Sequence, residues 1–331
     1  MPIKSSPGLR LLGFFGVALI LGFLLWELWS NWAALRAYSW RLKPGLALFS
    51  FAALTGSLFL LPWGLREVLA LLGHRLPYSR VSKILFSSLL GKYLPGGWWA
   101  LLGRAHFYRQ EGLTLAQASV AVLMETVLVV TSGILTFSLF LPGHSAFLGG
   151  WQKGALAVMG AGCLVFIHPY FLNLFLSLTE KAFKKPGVPL SFSYRSMAYP
   201  FAVFFFFWVG MGSSFWLLAA SLTEVEVSLL PQMVSAFTLS WAVGFFSFVT
   251  PGGLGVREGA LTLLLKPFFP LYAAAALALL SRIWWMGGEL LALSISYLWE
   301  RSGGKKSTGP SAGEPNGELL SLPAEKGGPQ P

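Results

Sequence analysis

The sequence predicts an all-α polytopic membrane protein. We expect six full transmembrane helices plus two re-entrant Pro-Gly-Gly helical hairpins arranged as an inverted repeat, with eight full spans as the alternative. Three observations carry this prediction. Of 331 residues, 55% are hydrophobic and 11% charged, less than half the charge of an ordinary soluble domain, and the mean hydropathy is +0.65. Six stretches are long and apolar enough to cross a hydrocarbon core about 30 Å thick. Two more are each interrupted by Pro-Gly-Gly.

In chain order, the first span is 11–29. It follows Lys4 and Arg10 as a signal peptide would, but it ends in Trp26-Glu27-Leu28-Trp29. That end is bulky where a cleavage site needs small residues, so the span reads as an uncleaved anchor. The second span is 46–72. Residues 79–110 are then interrupted by Lys92 and Leu94-Pro95-Gly96-Gly97, and the short helix beyond carries Arg104. Three spans follow, at 115–141, 154–178 and 198–222. Residues 230–267 repeat the interrupted pattern around Thr250-Pro251-Gly252-Gly253, with Arg257 on the short helix, and 271–299 closes the set. Trp29, Trp63, Trp151 and Trp299 lie near span ends, as interfacial belts require. The membrane domain is therefore 1–301. Residues 302–331, rich in Gly and Pro, cannot bury a core and read as a disordered cytoplasmic tail. Gly304-Lys305-Lys306-Ser307 within it lacks the spacing and preceding strand of a phosphate loop.

Each interrupted stretch is followed by a span with a charge near its middle: Glu125, thirty residues after Pro95, and Arg282, thirty-one after Pro251. The two stretches thus read as copies of one unit, 46–141 and 198–299. A Pro-Gly break inside hydrocarbon leaves backbone groups unpaired, which is tolerated only under protein or water. That favours hairpins. Residues 230–250 alone are long enough to cross, which keeps the eight-span alternative open. With both hairpins re-entrant and the N-terminus cytoplasmic, fourteen Lys and Arg fall inside and five outside, the bias expected of a cell (plasma or inner) membrane protein with both termini in the cytoplasm. Three spans separate the starts of the units. An odd number inverts the copies, as in many secondary transporters with a site near the midplane.

Lys and Arg number 24 against 13 acidic residues, for a net charge of +11. On such a chain this excess points to anionic lipid and not to nucleic acid. All thirteen acids are glutamate, so chemistry that requires aspartate is excluded. Four scattered histidines and the lone Cys163 leave no defensible nucleophile–base pair, disulfide framework or multi-cysteine metal site. No enzyme activity, metal or cofactor is expected.

The candidate substrate-binding residues gather at the two breaks: Pro95, Gly96, Gly97 and Arg104, then Pro251, Gly252, Gly253, Arg257 and Glu258. Glycines let backbone approach a ligand closely. The start of a short helix offers free N–H groups and a positive dipole end, and arginine forks match phosphate. The plainer alternative is a tight turn with Arg257 paired to Glu258. Glu125 and Arg282 sit mid-span, where a lone charge costs several kcal/mol, and are expected to pair with each other. Glu289, seven residues beyond Arg282 on the same face, is the candidate for a coupled proton. His168 reads as a hydrogen-bonded interior residue. The clusters Phe204 to Trp208 and Trp284-Trp285 read as lipid-facing or packing surface.

The run Leu90-Gly91-Lys92-Tyr93-Leu94-Pro95-Gly96-Gly97, with Arg104 and Glu125, resembles the first signature of the lysylphosphatidylglycerol synthase transmembrane region, the flippase-like family. Thr250-Pro251-Gly252-Gly253-Leu254-Gly255-Val256-Arg257-Glu258-Gly259, followed by Ser281-Arg282, resembles the second. The first is the looser match, with Trp98-Trp99 where a further glycine is common. The likeness covers about 10–300. It implies handling of polar lipids: aminoacylated phosphatidylglycerol in fused synthases, polyprenyl-phosphate or other envelope lipids in stand-alone members. The chain ends about thirty residues after its last span, so we expect it to lack the aminoacyl-transfer domain. The leading expectation is a transporter that moves a polar or anionic head-group lipid between leaflets. A membrane-embedded enzyme, with Arg257 and Glu258 as the pair to test, ranks below a non-catalytic partner of a lipid-modifying or glycosyl transferase.

Overall fold

The computed structural model describes residues 22–93, 99–140, 193–247 and 250–304, together with Gly154, Val158 and Gly162 singly. Pro95, Gly96 and Gly97, the expected span 154–178 with His168, and the tail beyond Gly304 lie outside these described residues. Among the described residues there are helices and turns but no strand. Residues 22–30 are helical. The chain continues as α1 (Trp32–Ala37), α2 (Pro44–Leu58), α3 (Leu60–Leu71), α4 (Tyr78–Leu89), α5 (Trp99–Gln110) and α6 (Leu115–Phe140). After the undescribed stretch come α7 (Tyr194–Leu222), α8 (Leu230–Phe246), α9 (Val256–Leu265) and α10 (Leu271–Gly304). Short 3-10 turns precede the first break, at Leu90–Tyr93, and form the second, at Pro251–Gly253.

Among the described residues, five helical stretches are long and apolar enough to cross a membrane: Pro44–Leu71, Leu115–Phe140, Arg195–Leu222, Val227–Phe246 and Leu271–Ser302. The protein is thus a multi-pass helical membrane protein. Helices α4, α5 and α9 have 12, 12 and 10 residues, or about 18, 18 and 15 Å at 1.5 Å per residue. None of them reaches across the hydrocarbon alone. α8, within Val227–Phe246, does qualify by length. The first span of this set is kinked into α2 and α3. Pro62 lacks the N–H that would bond the Leu58 carbonyl, and its ring crowds that carbonyl, so the helix breaks there. The Tyr78 hydroxyl donates to the neighbouring Phe59 carbonyl at 2.6 Å.

α7 is the central post. Phe204, Phe207, Trp208, Met211 and Phe215 are all buried, and α7 packs on α2, α3, α6 and α8. Gly210 and Gly212 permit that closeness: a Cβ on the first would collide with Ser57 Oγ, and one on the second would stand 2.5 Å from Val234 Cα. Small residues at such contacts are how helices pack in lipid, where no hydrophobic force draws them together. Corresponding elements of the two units meet. α2 and α3 lie on α7, and the turn Leu90–Tyr93 touches the second break. α4 packs on α10 while α8 packs on α6, so each unit's first short arm leans on the other unit's long span.

Two rims of charged and aromatic residues tie the helix ends together. At one rim Arg80 bridges Glu111 and Glu300, both at 2.5 Å, Lys83 also reaches Glu300 at 2.5 Å, and Tyr78 stacks edge-on against Trp299. This joins the start of α4, the residue after α5 and the end of α10. At the other rim Arg41 pairs with Glu224 at 2.7 Å, and the Lys43 N–H donates to the Ser221 carbonyl at 2.8 Å. Tyr38 meets Tyr272 there, joining the start of α2, the end of α7 and the start of α10.

Candidate functional site

In the first unit, Arg104 on α5 and Glu125 on α6 form a buried pair, each 4% exposed. Arg104 Nη1 donates to both carboxylate oxygens of Glu125, and its Nε donates to Ser88 Oγ on α4 at 3.0 Å. Three helices are thus pinned by one guanidinium. Tyr108, one turn beyond Arg104, is fully buried beside them.

The second unit repeats the plan with the signs exchanged. The carboxylate is on the short helix, Glu258 on α9, and the arginine is on the long span, Arg282 on α10. They stand 3.5 Å apart. Glu258 Oε2 accepts the Gly255 N–H at 2.7 Å, capping its own helix. Arg282 Nη1 donates to the Gly252 carbonyl at 3.1 Å. Gly252 and Gly253 have φ of 56° and 69°, a region that favours glycine. A Cβ on Gly253 would lie 2.8 Å from Gly244 Cα. That contact presses the break onto α8.

Arg257 has no carboxylate partner among the described residues. It is 5% exposed. Its Cζ lies 4.2 Å from the ring centre of Trp285 and 5.1 Å from that of Phe237, and those two rings stack on each other. Such a contact favours a desolvated cation by about 2 kcal/mol. Its Nη2, with Nε and Nη2 of Arg282, is buried with no hydrogen-bond partner among the described residues.

The units are joined by a fourth group. Lys92, in the turn before the first break, pairs with Glu289 on α10. The Tyr93 hydroxyl donates to Glu289 Oε2 at 2.8 Å, and Trp285 Nε1 donates to Oε1 at 2.6 Å. Many of these groups line a cavity of about 530 Å³. Lys92, Arg104, Glu125, Gly252, Gly253, Arg257, Arg282 and Glu289 line it together with apolar residues such as Leu101, Val122, Trp208, Trp241 and Phe245. Its lining is thus both charged and apolar.

Several expectations change. Glu125 and Arg282 do not pair with each other; each pairs within its own unit, because the short helix after the break brings an opposite charge closer than the other span does. Arg257 and Glu258 do not pair either: consecutive helical residues point to different faces, and Glu258 turns to Arg282. Glu258 takes the N–H of Gly255, the residue before α9, and the guanidinium groups of Arg257 and Arg282 add positive charge beside the start of that helix. Trp284 and Trp285 are buried, 7% and 5% exposed, and Trp285 holds both Arg257 and Glu289. The Phe204 to Trp208 cluster divides, with Phe206 exposed and Phe204, Phe207 and Trp208 packed inside. Pro251 forms the second break. The residues that sequence reasoning passed over are Lys92, Tyr93, Ser88 and Trp285. Lys92 carried a usable signal, a charge just before a break in an apolar stretch. Tyr93 lay inside the first family-like run without standing out in it, Trp285 was read only as packing or lipid-facing surface, and Ser88 carried no signal.

A bundle of apolar helices around an internal cavity lined by charged side chains defines a multi-pass integral membrane protein. The chain matches the sequence profile of the lysylphosphatidylglycerol synthase TM region over residues 12–285 and belongs to that family. No curated protein matches it.

Proposed function

We propose that this protein is a lipid translocator of the cell membrane, with both termini in the cytoplasm. A polar or anionic head group passes through the cavity beside the second break while the acyl chains stay against its apolar lining. The observation that carries this reading is Arg257: a buried cation whose Nη2 has no hydrogen-bond partner among the described residues, lining a cavity that is otherwise largely apolar. Burying an unpaired charge is costly, and an anionic ligand supplies the missing partner. Family membership supports the reading in its coarse form, a membrane protein related to lipid modification or flipping. In this reading α4–α5 and α8–α9 are re-entrant hairpins entering from opposite faces. The rim contacts support that: Arg80 bonds Glu111, so the two ends of the first hairpin share a rim, and Tyr38 and Arg41 bring the start of α10 to the rim where α7 ends. The chain performs no covalent chemistry on the lipid.

The decisive experiment is reconstitution into liposomes with a fluorescent anionic lipid, following its loss of accessibility to an impermeant quencher. The unaltered protein should speed exchange between leaflets, and Arg257→Ala should abolish it in protein that still inserts and migrates as a single species. Full-rate movement by Arg257→Ala would sink the site. No movement by the unaltered protein, with a transferase co-purifying, would make the chain a positioning partner. Sidedness is tested in a Cys163→Ser background with single cysteines at the exposed positions Gln110 and Lys266. Impermeant maleimide should label Lys266→Cys on intact cells and Gln110→Cys only after permeabilisation. Labelling of both from one side would remove the inverted hairpins.

A further inference from the structure

We propose that the cavity is built for a head group with one negative charge and no cation: a phosphodiester lipid whose pendant group is uncharged. This rests on the translocator reading for the ligand being a lipid. Among the described residues, the charges at and around the cavity are four cations, Lys92, Arg104, Arg257 and Arg282, and three carboxylates, Glu125, Glu258 and Glu289. Every carboxylate faces a cation. Glu125 takes Arg104, and Glu289 takes Lys92, Tyr93 and Trp285. Glu258 takes the Gly255 N–H through Oε2 and faces Arg282 at 3.5 Å through Oε1, which has no hydrogen-bond partner among the described residues. One positive charge is left over, and it falls on Arg257.

The free donors are Arg257 Nη2 and Arg282 Nε and Nη2, on side chains at least nine-tenths buried. A phosphodiester brings one charge and two non-bridging oxygens, which match one spare charge and three donors. A phosphomonoester brings about 1.5 to 2 charges at neutral pH and leaves part of that unmatched. Choline, ethanolamine and aminoacyl head groups add an ammonium. Each of these three carboxylates already offsets a cation of the site, so an added ammonium would leave a buried charge unbalanced, which is strongly disfavoured. By this account the site rejects a lysyl ester of phosphatidylglycerol, whose two ammonium groups outweigh its phosphate.

The test is competition for the purified protein in detergent, with retained lipid counted by native mass spectrometry. The probes are phosphatidylglycerol, phosphatidic acid, phosphatidylcholine, lysylphosphatidylglycerol and a free fatty acid, with matched chains. Phosphatidylglycerol should be retained about tenfold over each of the others, the ratio that a difference of about 1.4 kcal/mol produces. Glu258→Gln keeps the cap through its amide oxygen but adds one positive charge, and should move the preference toward phosphatidic acid. Arg257→Gln should erase the discrimination against phosphatidylcholine. Equal or greater retention of phosphatidic acid, phosphatidylcholine or the lysyl ester by the unaltered protein overturns the single-charge assignment, whether or not lipid moves. Equal retention of the fatty acid overturns the phosphodiester. Glycerophosphoglycerol competing as well as the intact lipid would reassign the site to a soluble phosphodiester. Selective retention without movement in liposomes would leave this inference standing and remove the translocator reading.

Discussion

The two units carry the same buried charge pair with opposite polarity and very different closure. In the first, Arg104 grips both oxygens of Glu125 and also holds Ser88, so one side chain satisfies three helices. In the second, Glu258 and Arg282 stand 3.5 Å apart, Arg282 keeps two nitrogens unpartnered, and Arg257 beside them has an unpartnered nitrogen of its own. A closed pair in a low-dielectric interior is a clamp, costly to break because either partner alone is stranded. An open pair with surplus donors has capacity left to accept an anion. The same pairing occurs twice, closed in one place and open in the other.

The largest expected effect tests the clamp. Arg104→Ala strands Glu125 and should cost on the order of 3–5 kcal/mol, read as a large fall in the thermal unfolding midpoint in detergent. Arg104→Met combined with Glu125→Leu should recover most of it. An unchanged midpoint in the single variant would break the contrast at its firmer end. Next comes Gly253→Ala, which places a side chain at φ 69° and 2.8 Å from Gly244 Cα. We expect a loss of about 1–3 kcal/mol in the same assay, together with displacement of the break and reduced lipid movement.

Arg257→Ala sharpens the open half. It loses a cation–π contact worth up to about 2 kcal/mol but also removes an unpartnered buried charge. The midpoint should therefore shift by no more than a few degrees while lipid binding falls. A midpoint drop as large as that of Arg104→Ala would make Arg257 a scaffold residue. The smallest effect belongs to Arg41→Ala. Its pair with Glu224 is exposed, at 68% and 73% for the two side chains, and exposed pairs contribute little, so neither stability nor lipid movement should change measurably.

The multi-pass helical class was plain from hydropathy, because lipid forces long apolar runs into helices that satisfy their own backbone. The paired breaks were equally plain, since Pro-Gly-Gly inside such a run is rare and recurs here at matching distances from Glu125 and Arg282. Arg104, Arg257, Arg282 and Glu289 could be singled out one at a time, because any intramembrane charge stands out against its neighbours. Their partners could not. Glu125 and Arg282 hold corresponding places in the two units and looked like each other's match, yet each found a nearer one on its own short helix.

The sequence by itself therefore determined the solvent this chain folds in, its helical class, its paired Pro-Gly-Gly breaks and the handful of charges that must be neutralised or used. Only the tertiary structure decided which charges cancel and which one is left over. Pairing depends on a few ångströms between side chains far apart in sequence. Lys92 meets Glu289 across 197 positions, Trp285 slides under Arg257, and Glu258 turns away from its neighbour to reach the last span. Those distances are set by where α4 leans on α10 and by how tightly Gly253 lies on Gly244, and no local pattern of residues records either.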